Sequence, residues 1–207
     1  MGASKRLAEI ILQSYAEREK SIKSKETFTI FAMVRFGNVI GSSGSVLPLF
    51  QKQIANGGPI TLTVPNIIRY FMTITEAANL VLEASYLAKG GELFLLDMGQ
   101  PIKIKYLAEQ LVRLNGLRLK TNTFPKGDIE IKVIGLRPGE KLYEELLIDG
   151  KSEKTTNDLI YKAKEKFIYN EDLWPKLESL NSSCDEINFD KTLNLLREMV
   201  PEWSLDG

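Results

Sequence analysis

Histidine is absent from this 207-residue chain, and its absence removes several kinds of site at once. Without an imidazole, neither a Ser-His-Asp triad nor a Cys-His nucleophile pair can form. The usual nitrogen ligands of zinc are missing too, so no metal site is expected. Any acid–base chemistry must therefore fall to lysine, tyrosine, aspartate or glutamate.

Cysteine, excess charge and long apolar runs are equally scarce. Cys184 is the single cysteine, so a disulfide framework is excluded and a reducing, cytoplasmic setting is expected. Lys+Arg and Asp+Glu both number 27, so no overall field favours nucleic acid or an anionic membrane, and the lysine-rich stretches are interpreted as solvated faces. No apolar run approaches the ~20 residues that span a bilayer, so no membrane segment is expected in the chain.

The apolar pattern alternates between buried strands and amphipathic helices, which is typical of an α/β fold. Phe28–Val34 and Glu92–Asp97 are continuous apolar runs, as in strands covered on both faces. Because helical segments separate them, we expect the two runs to form adjacent parallel strands. The other expected elements are helices over 2–20, Val46–Ala55, Thr75–Ala88 (capped by Thr75), Ile104–Asn115 and around Leu173–Leu180 and Leu193–Val200, with short strands at Ile60–Thr63, Tyr70–Ile74 and Ile129–Ile134.

The segment from Arg35 to Phe50 has the sequence Arg-Phe-Gly-Asn-Val-Ile-Gly-Ser-Ser-Gly-Ser-Val-Leu-Pro-Leu-Phe. It predicts a strand that ends in a glycine-rich loop and opens a helix, which is where an open α/β sheet binds its ligand. Gly37, Gly41 and Gly44 permit close backbone approach and positive φ, and the helix N-terminus offers free N–H groups to a phosphate. The alternative is a Gly/Ser surface loop. A Walker-type loop is excluded because no Gly-Lys-Ser/Thr follows.

Two further segments accompany this loop: Met-Gly-Ala-Ser-Lys-Arg-Leu-Ala-Glu at residues 1–9 and Leu-Arg-Pro-Gly-Glu-Lys-Leu-Tyr-Glu-Glu-Leu at residues 136–146. In this order the three segments resemble the C-terminal half of the extended short-chain dehydrogenase/reductase family, specifically the nucleotide-sugar 4,6-dehydratases of bacterial polysaccharide biosynthesis. The resemblance implies an α/β fold: an incomplete Rossmann-like doubly wound parallel sheet with only the C-terminal strands, a small α/β substrate-binding lobe and C-terminal helices. It also implies that residues 1–150 hold the interleaved Rossmann and substrate-lobe parts, and that residues 151–207 form a lysine-rich linker and a helical extension.

The resemblance assigns Lys5 to the cofactor. In this superfamily a Tyr-x-x-x-Lys pair shares one helix, where the lysine holds the nicotinamide ribose and lowers the pKa of the tyrosine for proton transfer. Here Met1 stands at the tyrosine position, as it does in the large, membrane-anchored CapD-like branch, and a thioether cannot transfer a proton. Lys5 is therefore expected to be a catalytic and cofactor-binding residue, and Phe36 to lie beside the nicotinamide. Considered alone, Lys5 would be a solvated lysine on a helix.

The same resemblance implies a nucleotide-sugar site. The expected substrate-binding residues are Asn38, Ser45, Pro48, Arg69, Arg137 and Glu140. Arg69 and Arg137 would grip the diphosphate, because a guanidinium group makes bidentate phosphate contacts, and we expect both to converge with Asn38 on one cleft. Glu140 would orient Arg137 or touch a sugar hydroxyl. Considered singly, each arginine would be an exposed ion-pair partner.

A Gly-x-x-Gly-x-x-Gly cofactor turn is absent from the chain, so NAD is expected in the intact relatives, with no tight binding to this chain alone. The resemblance implies a C-terminal fragment of an NAD-dependent UDP-N-acetylhexosamine 4,6-dehydratase, inactive by itself and binding a UDP-sugar. Its expected partner is a missing N-terminal half or a second copy, because the strand at Phe28–Val34 would have an unpaired edge, and the intact relative would work at the cytoplasmic face of the inner membrane. The alternatives are half of a nucleotide-sugar epimerase and a non-catalytic sugar-nucleotide-binding or interaction module.

Overall fold

A computed structural model describes residues 2–21, 29–136 and 151–203, and it confirms the predicted α/β class. In these ranges the helices are α1 (Ala3–Ser21), α2 (Val46–Ala55), α3 (Ile74–Leu87), α4 (Ile104–Leu114), α5 (Asn170–Asp185) and α6 (Phe189–Met199). The strands are β1 (Met33–Arg35), β2 (Asn38–Val39), β3 (Ile60–Leu62), β4 (Ile68–Arg69), β5 (Phe71–Met72), β6 (Leu93–Leu96), β7 (Ile102–Lys103), β8 (Ile131–Val133), β9 (Ser152–Lys154) and β10 (Ile160–Ala163).

The chain forms two compact units that alternate along the sequence. The first unit takes its described residues from 1–35, 80–97 and 145–207, and the second takes them from 36–79 and 98–144. The boundary after Arg35 falls inside the glycine-rich motif. The strand that precedes the loop and the loop itself therefore belong to different units.

The first unit contains a four-stranded sheet in the order β1-β6-β10-β9. Strands β1 and β6 run parallel in the register Met33↔Leu93, so the predicted adjacent parallel pairing is confirmed. All four residues of β6 are buried, as its unbroken apolar run predicts for a strand covered on both faces. The predicted strand over Phe28–Val34 is too long: Thr29–Ala32 are not in a strand and Phe28 lies outside the described residues, because β6 offers partners to only a few residues of β1.

The lysine-rich stretch after residue 150 is not the simple linker that the sequence predicts. Its residues form β9 and β10, and β10 pairs antiparallel with β6 and with β9. Ile160 and Ala163 at the two ends of β10 are buried, while the residues between them are half-buried. Lysines interrupt the apolar pattern of β10, so the local sequence does not indicate a strand there. In the structure β10 makes the four-stranded sheet a mixed one, with parallel and antiparallel pairs.

The helical layer of the first unit joins the N-terminal helix to the C-terminal pair. Leu7 and Ile10 of α1 are buried in a cluster with Leu173 of α5, Met199 of α6 and Val200. Fully burying one such side chain contributes about 1.5–3 kcal/mol, so the C-terminal helices contribute substantially to holding α1. None of the described helices combines the length and apolarity that crossing a membrane requires.

The second unit is built from short strand pairs around its own core. Strands β2 and β5 are parallel, β3 and β8 are parallel, and β4 and β7 are antiparallel. Helices α2 and α4 cover this core, which contains Phe50 and Ile54 from α2, Ile60 from β3 and Val112 from α4. The predicted bounds of α2 agree with the structure, because glycines follow a clearly apolar run.

Helix α3 begins at Ile74, one residue before its predicted start, and Thr73 rather than Thr75 caps it. The Thr73 hydroxyl accepts a hydrogen bond from the Glu76 N–H (3.2 Å), while the Thr73 N–H and hydroxyl each donate to Glu76 Oε2 (both 2.7 Å). This reciprocal arrangement is a capping box, which requires a Glu three residues after the capping Thr. Thr73 has that partner, and position 78, three residues after Thr75, is an alanine.

Candidate functional site

The glycine-rich loop of the second unit contains the motif residues that the sequence singled out. After β1, Phe36 and Gly37 lead into β2, and the Gly37 N–H donates to Met98 Sδ at 3.3 Å. Gly41 and Gly44 have φ values of 76° and 74°, in the left-handed region where a side chain costs energy. These two glycines therefore have the backbone conformation that the motif predicts.

Ser45 occupies the N-cap position of α2, but its side chain forms no capping hydrogen bond. Its Oγ atom is shielded from solvent and finds no hydrogen-bond partner in residues 2–21, 29–136 and 151–203. A buried hydroxyl without a partner costs about 1–3 kcal/mol, and buried polar groups in native proteins almost always have one. Pro48 lies in the first turn of α2, where its missing N–H costs nothing because those groups have no helical acceptor. The site therefore combines a helix N-terminus with an unsatisfied hydroxyl.

Asn38 and Arg69 come close together through the strand pairing of the second unit. The Asn38 backbone N–H and its side-chain Nδ2 both donate to the Tyr70 carbonyl, at 3.0 and 3.3 Å. Tyr70 directly follows Arg69, whose Nη1 donates to the Ile68 carbonyl at 2.8 Å. Asn38 and Arg69 are both half-buried, so the pairing of β2 with β5 unites two candidate substrate residues that are distant in sequence. The expected convergence with Arg137 stays a prediction, since Arg137 and Glu140 lie outside the described residues.

Lys5 lies in the first turn of α1 in the first unit. Its side chain is exposed, whereas Ala3, Arg6 and Leu7 around it are buried. It therefore lies on the solvent side of a helix whose other face is fixed in the core, and its ammonium group is accessible to a ligand. Met1, at the position of the family tyrosine, is outside the described residues.

The sequence prediction missed a buried cluster of charges in the first unit. Arg35 donates to both oxygens of Glu9, at 2.8 and 2.6 Å, and to both oxygens of Glu165, at 2.7 and 2.8 Å. Arg6 donates to Glu9 (3.2 Å), Glu202 (2.7 Å) and the Lys166 carbonyl (2.7 Å), and its guanidinium lies 3.3 Å from Glu165. We call these five side chains, Arg6, Glu9, Arg35, Glu165 and Glu202, the charge cluster.

The charge cluster explains the role of the first residue of the glycine motif. The side chains of Arg35 and Glu165 are 7% and 2% exposed, so both ions are nearly removed from water. Burial alone would lower the pKa of Arg35, but its hydrogen bonds to Glu9 and Glu165 and the charges of both carboxylates raise that pKa above its ordinary value. Arg35 therefore remains charged and is occupied by protein carboxylates. The one local signal for the cluster is the Arg6–Glu9 spacing of three residues on a helix.

Comparison with known proteins places these features in a family. The family described as "Polysaccharide biosynthesis protein" matches residues 1–165. The capsular polysaccharide biosynthesis protein CapD of Staphylococcus aureus is 54% identical over 147 residues, which is 71% of this chain and 22% of CapD. The UDP-glucose 4-epimerase of Rickettsia canadensis is 35% identical over 147 residues, which is 71% of this chain and 38% of the epimerase. The chain thus spans well under half the length of these relatives.

A solved structure supports the same relationship. The X-ray structure of Pen from Bacillus thuringiensis has a TM-score of 0.63 and 36% sequence identity, with 85% of this chain and 56% of Pen covered. The fold is Rossmann-like, as the resemblance implied. From the matched residues 1–165 and these relatives, we conclude that the chain belongs to the polysaccharide biosynthesis protein family.

Proposed function

We propose that this chain carries the nucleotide-sugar-binding part and the cofactor lysine of an NAD-dependent UDP-N-acetylhexosamine 4,6-dehydratase in polysaccharide biosynthesis. The observation that carries the proposal is the buried Ser45 hydroxyl, which lies at the N-terminus of α2 and has no hydrogen-bond partner among the described residues. The diphosphate of a nucleotide sugar would supply an acceptor for this hydroxyl and for the N–H groups of the first helical turn.

The neighbouring residues suit the same ligand. Arg69 brings a guanidinium group, which matches phosphate oxygens in charge and geometry. Asn38 lies on the strand paired with the segment that follows Arg69. Its amide is suited to hydrogen-bonding a sugar or base. In this proposal the second unit recognises the UDP moiety, and Arg137 and Glu140 add to the same site.

The residues present fit part of an NAD site. Lys5 has an exposed ammonium group that makes no ion pair with the described residues, so it is able to donate hydrogen bonds to ribose hydroxyls. Phe36 is half-buried and supplies an apolar surface for a nicotinamide ring. NAD⁺ would supply the hydride acceptor that lets the sugar lose water from C6. The glycine turn for the cofactor pyrophosphate is missing from this sequence, so we expect weak NAD⁺ binding and no turnover by this chain alone.

Calorimetry with UDP, UDP-N-acetylglucosamine and NAD⁺ tests this proposal. We expect both uridine ligands to bind and NAD⁺ to bind much more weakly. Arg69→Ala should lower the affinity for UDP by about tenfold, the loss of one charge-assisted phosphate contact. Arg113→Ala, an exposed arginine on α4 of the same unit, is the matched control and should bind as the wild type does. Absence of UDP binding, or equal losses in the two variants, would contradict the proposed site.

A nucleotide-sugar epimerase is the second candidate, and the 35% identity to UDP-glucose 4-epimerase favours it. The two candidates differ in the sugar that they should prefer. Tighter binding of UDP-N-acetylglucosamine than of UDP-glucose supports the dehydratase, and the reverse order supports the epimerase.

A further inference from the structure

The charge cluster joins two segments that carry candidate site residues. Arg6 directly follows Lys5 in the first turn of α1, and Arg35 directly precedes Phe36 at the end of β1. Glu9 accepts hydrogen bonds from both arginines. Glu165 also contacts both, bonding Arg35 with its two oxygens and lying 3.3 Å from Arg6. The same carboxylates therefore fix the position of the turn with Lys5 relative to the end of β1.

We propose that Glu165 is a positioning residue that, together with Glu9, clamps Arg6 to Arg35 and so holds the Lys5 turn against the end of β1, the strand from which the nucleotide-sugar loop continues. This inference rests on the proposed function of Lys5 and Asn38. It gives the C-terminal segment a part in holding the Lys5 turn, because Glu165, the Lys166 carbonyl and Glu202 all contact Arg6.

The geometry favours positioning over simple surface pairing. Two parallel hydrogen bonds from Arg35 to Glu165 define both the distance and the orientation of the two groups. The Glu165 side chain is 2% exposed, so water does not easily replace its partners. A nearby pair offers a contrast: Glu153 of β9 pairs with Lys164, but both side chains are more than half exposed. An exposed ion pair of this kind contributes little to fixing the position of either segment.

Hydrogen exchange of the 207-residue chain tests the clamp without any ligand. Glu165→Gln removes the charge while keeping the size, Glu9→Gln is a second variant at a less buried position, and Glu153→Gln is the matched control. We expect both cluster variants to speed exchange by about tenfold or more in the first turns of α1 and in the residues around the end of β1. The control should leave both segments unchanged. Faster exchange confined to the segment around residue 165 would overturn the proposal.

The affinity for UDP separates positioning from stability. At a temperature where Glu165→Gln is folded by circular dichroism, its affinity for UDP should fall by about fivefold or more, because the loop that leaves β1 is no longer held in one geometry. An unchanged affinity together with faster exchange would show a purely structural role and overturn the proposal. If the wild type itself binds no UDP, the proposed function fails, while the exchange data still decide whether the clamp exists.

Discussion

The two units of this protein use their charged and conformationally special residues differently. In the first unit, Arg6 and Arg35 are buried and saturated by protein carboxylates. In the second, Arg69 is half-buried on a two-residue strand, and the Ser45 hydroxyl is buried with no partner in the described part of the chain. The first unit thus uses its buried arginines to hold its own structure, and its unpartnered polar atoms, Gln13 Oε1 and Ser14 Oγ, lie in the middle of α1. In the second unit the unpartnered hydroxyl lies at the N-terminus of a helix, which makes it the better indicator of an anionic ligand.

The division into two units also explains why the glycine-rich motif has two roles. The glycine-rich segment begins with Arg35, which belongs to the first unit, and continues with the loop of the second. Its arginine is structural, and its glycines and Ser45 carry the features expected of a phosphate site.

Removing the central guanidinium should damage the first unit most. Arg35→Ala removes the guanidinium that pairs with Glu9 and with Glu165, whose side chain is 2% exposed. An uncompensated buried charge costs about 3–5 kcal/mol, so we expect a loss of about 3 kcal/mol in the free energy of unfolding. Urea denaturation followed by the fluorescence of Trp174 and Trp203 measures this loss. Arg69→Ala is the matched arginine variant in the second unit and should cost less than about 1 kcal/mol. Equal losses would remove the contrast between the units.

The stability of the second unit should depend on close backbone packing. A Cβ atom at Gly127 would lie 2.3 Å from the Leu119 carbonyl oxygen and 2.5 Å from the Lys120 nitrogen. Since backbone atoms cannot easily move aside, Gly127→Ala should destabilise the protein by about 2–3 kcal/mol. Urea denaturation followed by circular dichroism tests this, with Lys126→Ala at the exposed neighbouring position as the control. A loss no larger than that of the control would show that the loop adapts.

The two units also differ in which residue types adopt the left-handed backbone conformation. Gly41 and Gly44 supply the left-handed residues of the motif, whereas in the first unit Ile187 adopts φ 53°, the one non-glycine residue of the described chain with positive φ. Its N–H and that of Asn188 donate to the carbonyls of Cys184 and Ser183, which is the helix-ending pattern that glycine favours. The left-handed cost of about 1–2 kcal/mol exceeds the entropic cost of glycine, about 0.5–1 kcal/mol.

Ile187→Gly should therefore stabilise the first unit by about 0.5–1 kcal/mol. Little burial is lost, because the Ile187 side chain is 72% exposed. Thermal unfolding followed by Trp174 fluorescence measures the change. Destabilisation would mean that the side chain makes a contribution that its exposure does not indicate.

The smallest expected effect on stability comes from the capping box of α3, a helix that begins in the second unit and ends in the first. Hydrogen bonds from the Thr73 N–H and hydroxyl lower the pKa of Glu76 below its ordinary value. The stabilisation is therefore fully present above that ordinary value and is lost as the pH falls through the lowered one. We expect the stability difference between the wild type and Glu76→Gln to shrink on acidification from about pH 7 to pH 3. Glu83→Gln, on an exposed position of the same helix, is the control. A difference that does not depend on pH would contradict the charged capping box.

The sequence predicted well those helices and strands whose bounds depend on neighbouring residues in the chain. Val46–Ala55 and the helix from Ile104 have strong apolar periodicity and a glycine soon after their ends, and both agree with the structure within one residue. The parallel neighbours β1 and β6 followed from two buried runs and a helical connection. Thr75 was the wrong cap because two threonines compete there, and only the position of a glutamate decides between them.

The charge cluster could not be predicted in the same way. Arg6 bonds to the Lys166 carbonyl and to Glu202, which are 160 and 196 residues away. No local pattern reports that Glu165, within a lysine-rich run, is buried, because the sheet that buries it depends on β10 pairing with β6. Ser45 was predicted as a site residue from the resemblance. Its unsatisfied hydroxyl became visible only when the packing of α2 was known.

The most direct test of the central claim is an NMR titration of the 207-residue chain with UDP-N-acetylglucosamine. We expect the perturbed amides to cluster in the loop from Phe36 to α2, including Ser45, and in the segment Ile68–Tyr70. Contradiction would be a lack of perturbation, or perturbation confined to the first unit, where a cavity of about 300 Å³ is lined by Arg6, Phe167 and Glu202 among others. Either result would mean that the glycine-rich loop and Arg69 do not form the nucleotide-sugar site.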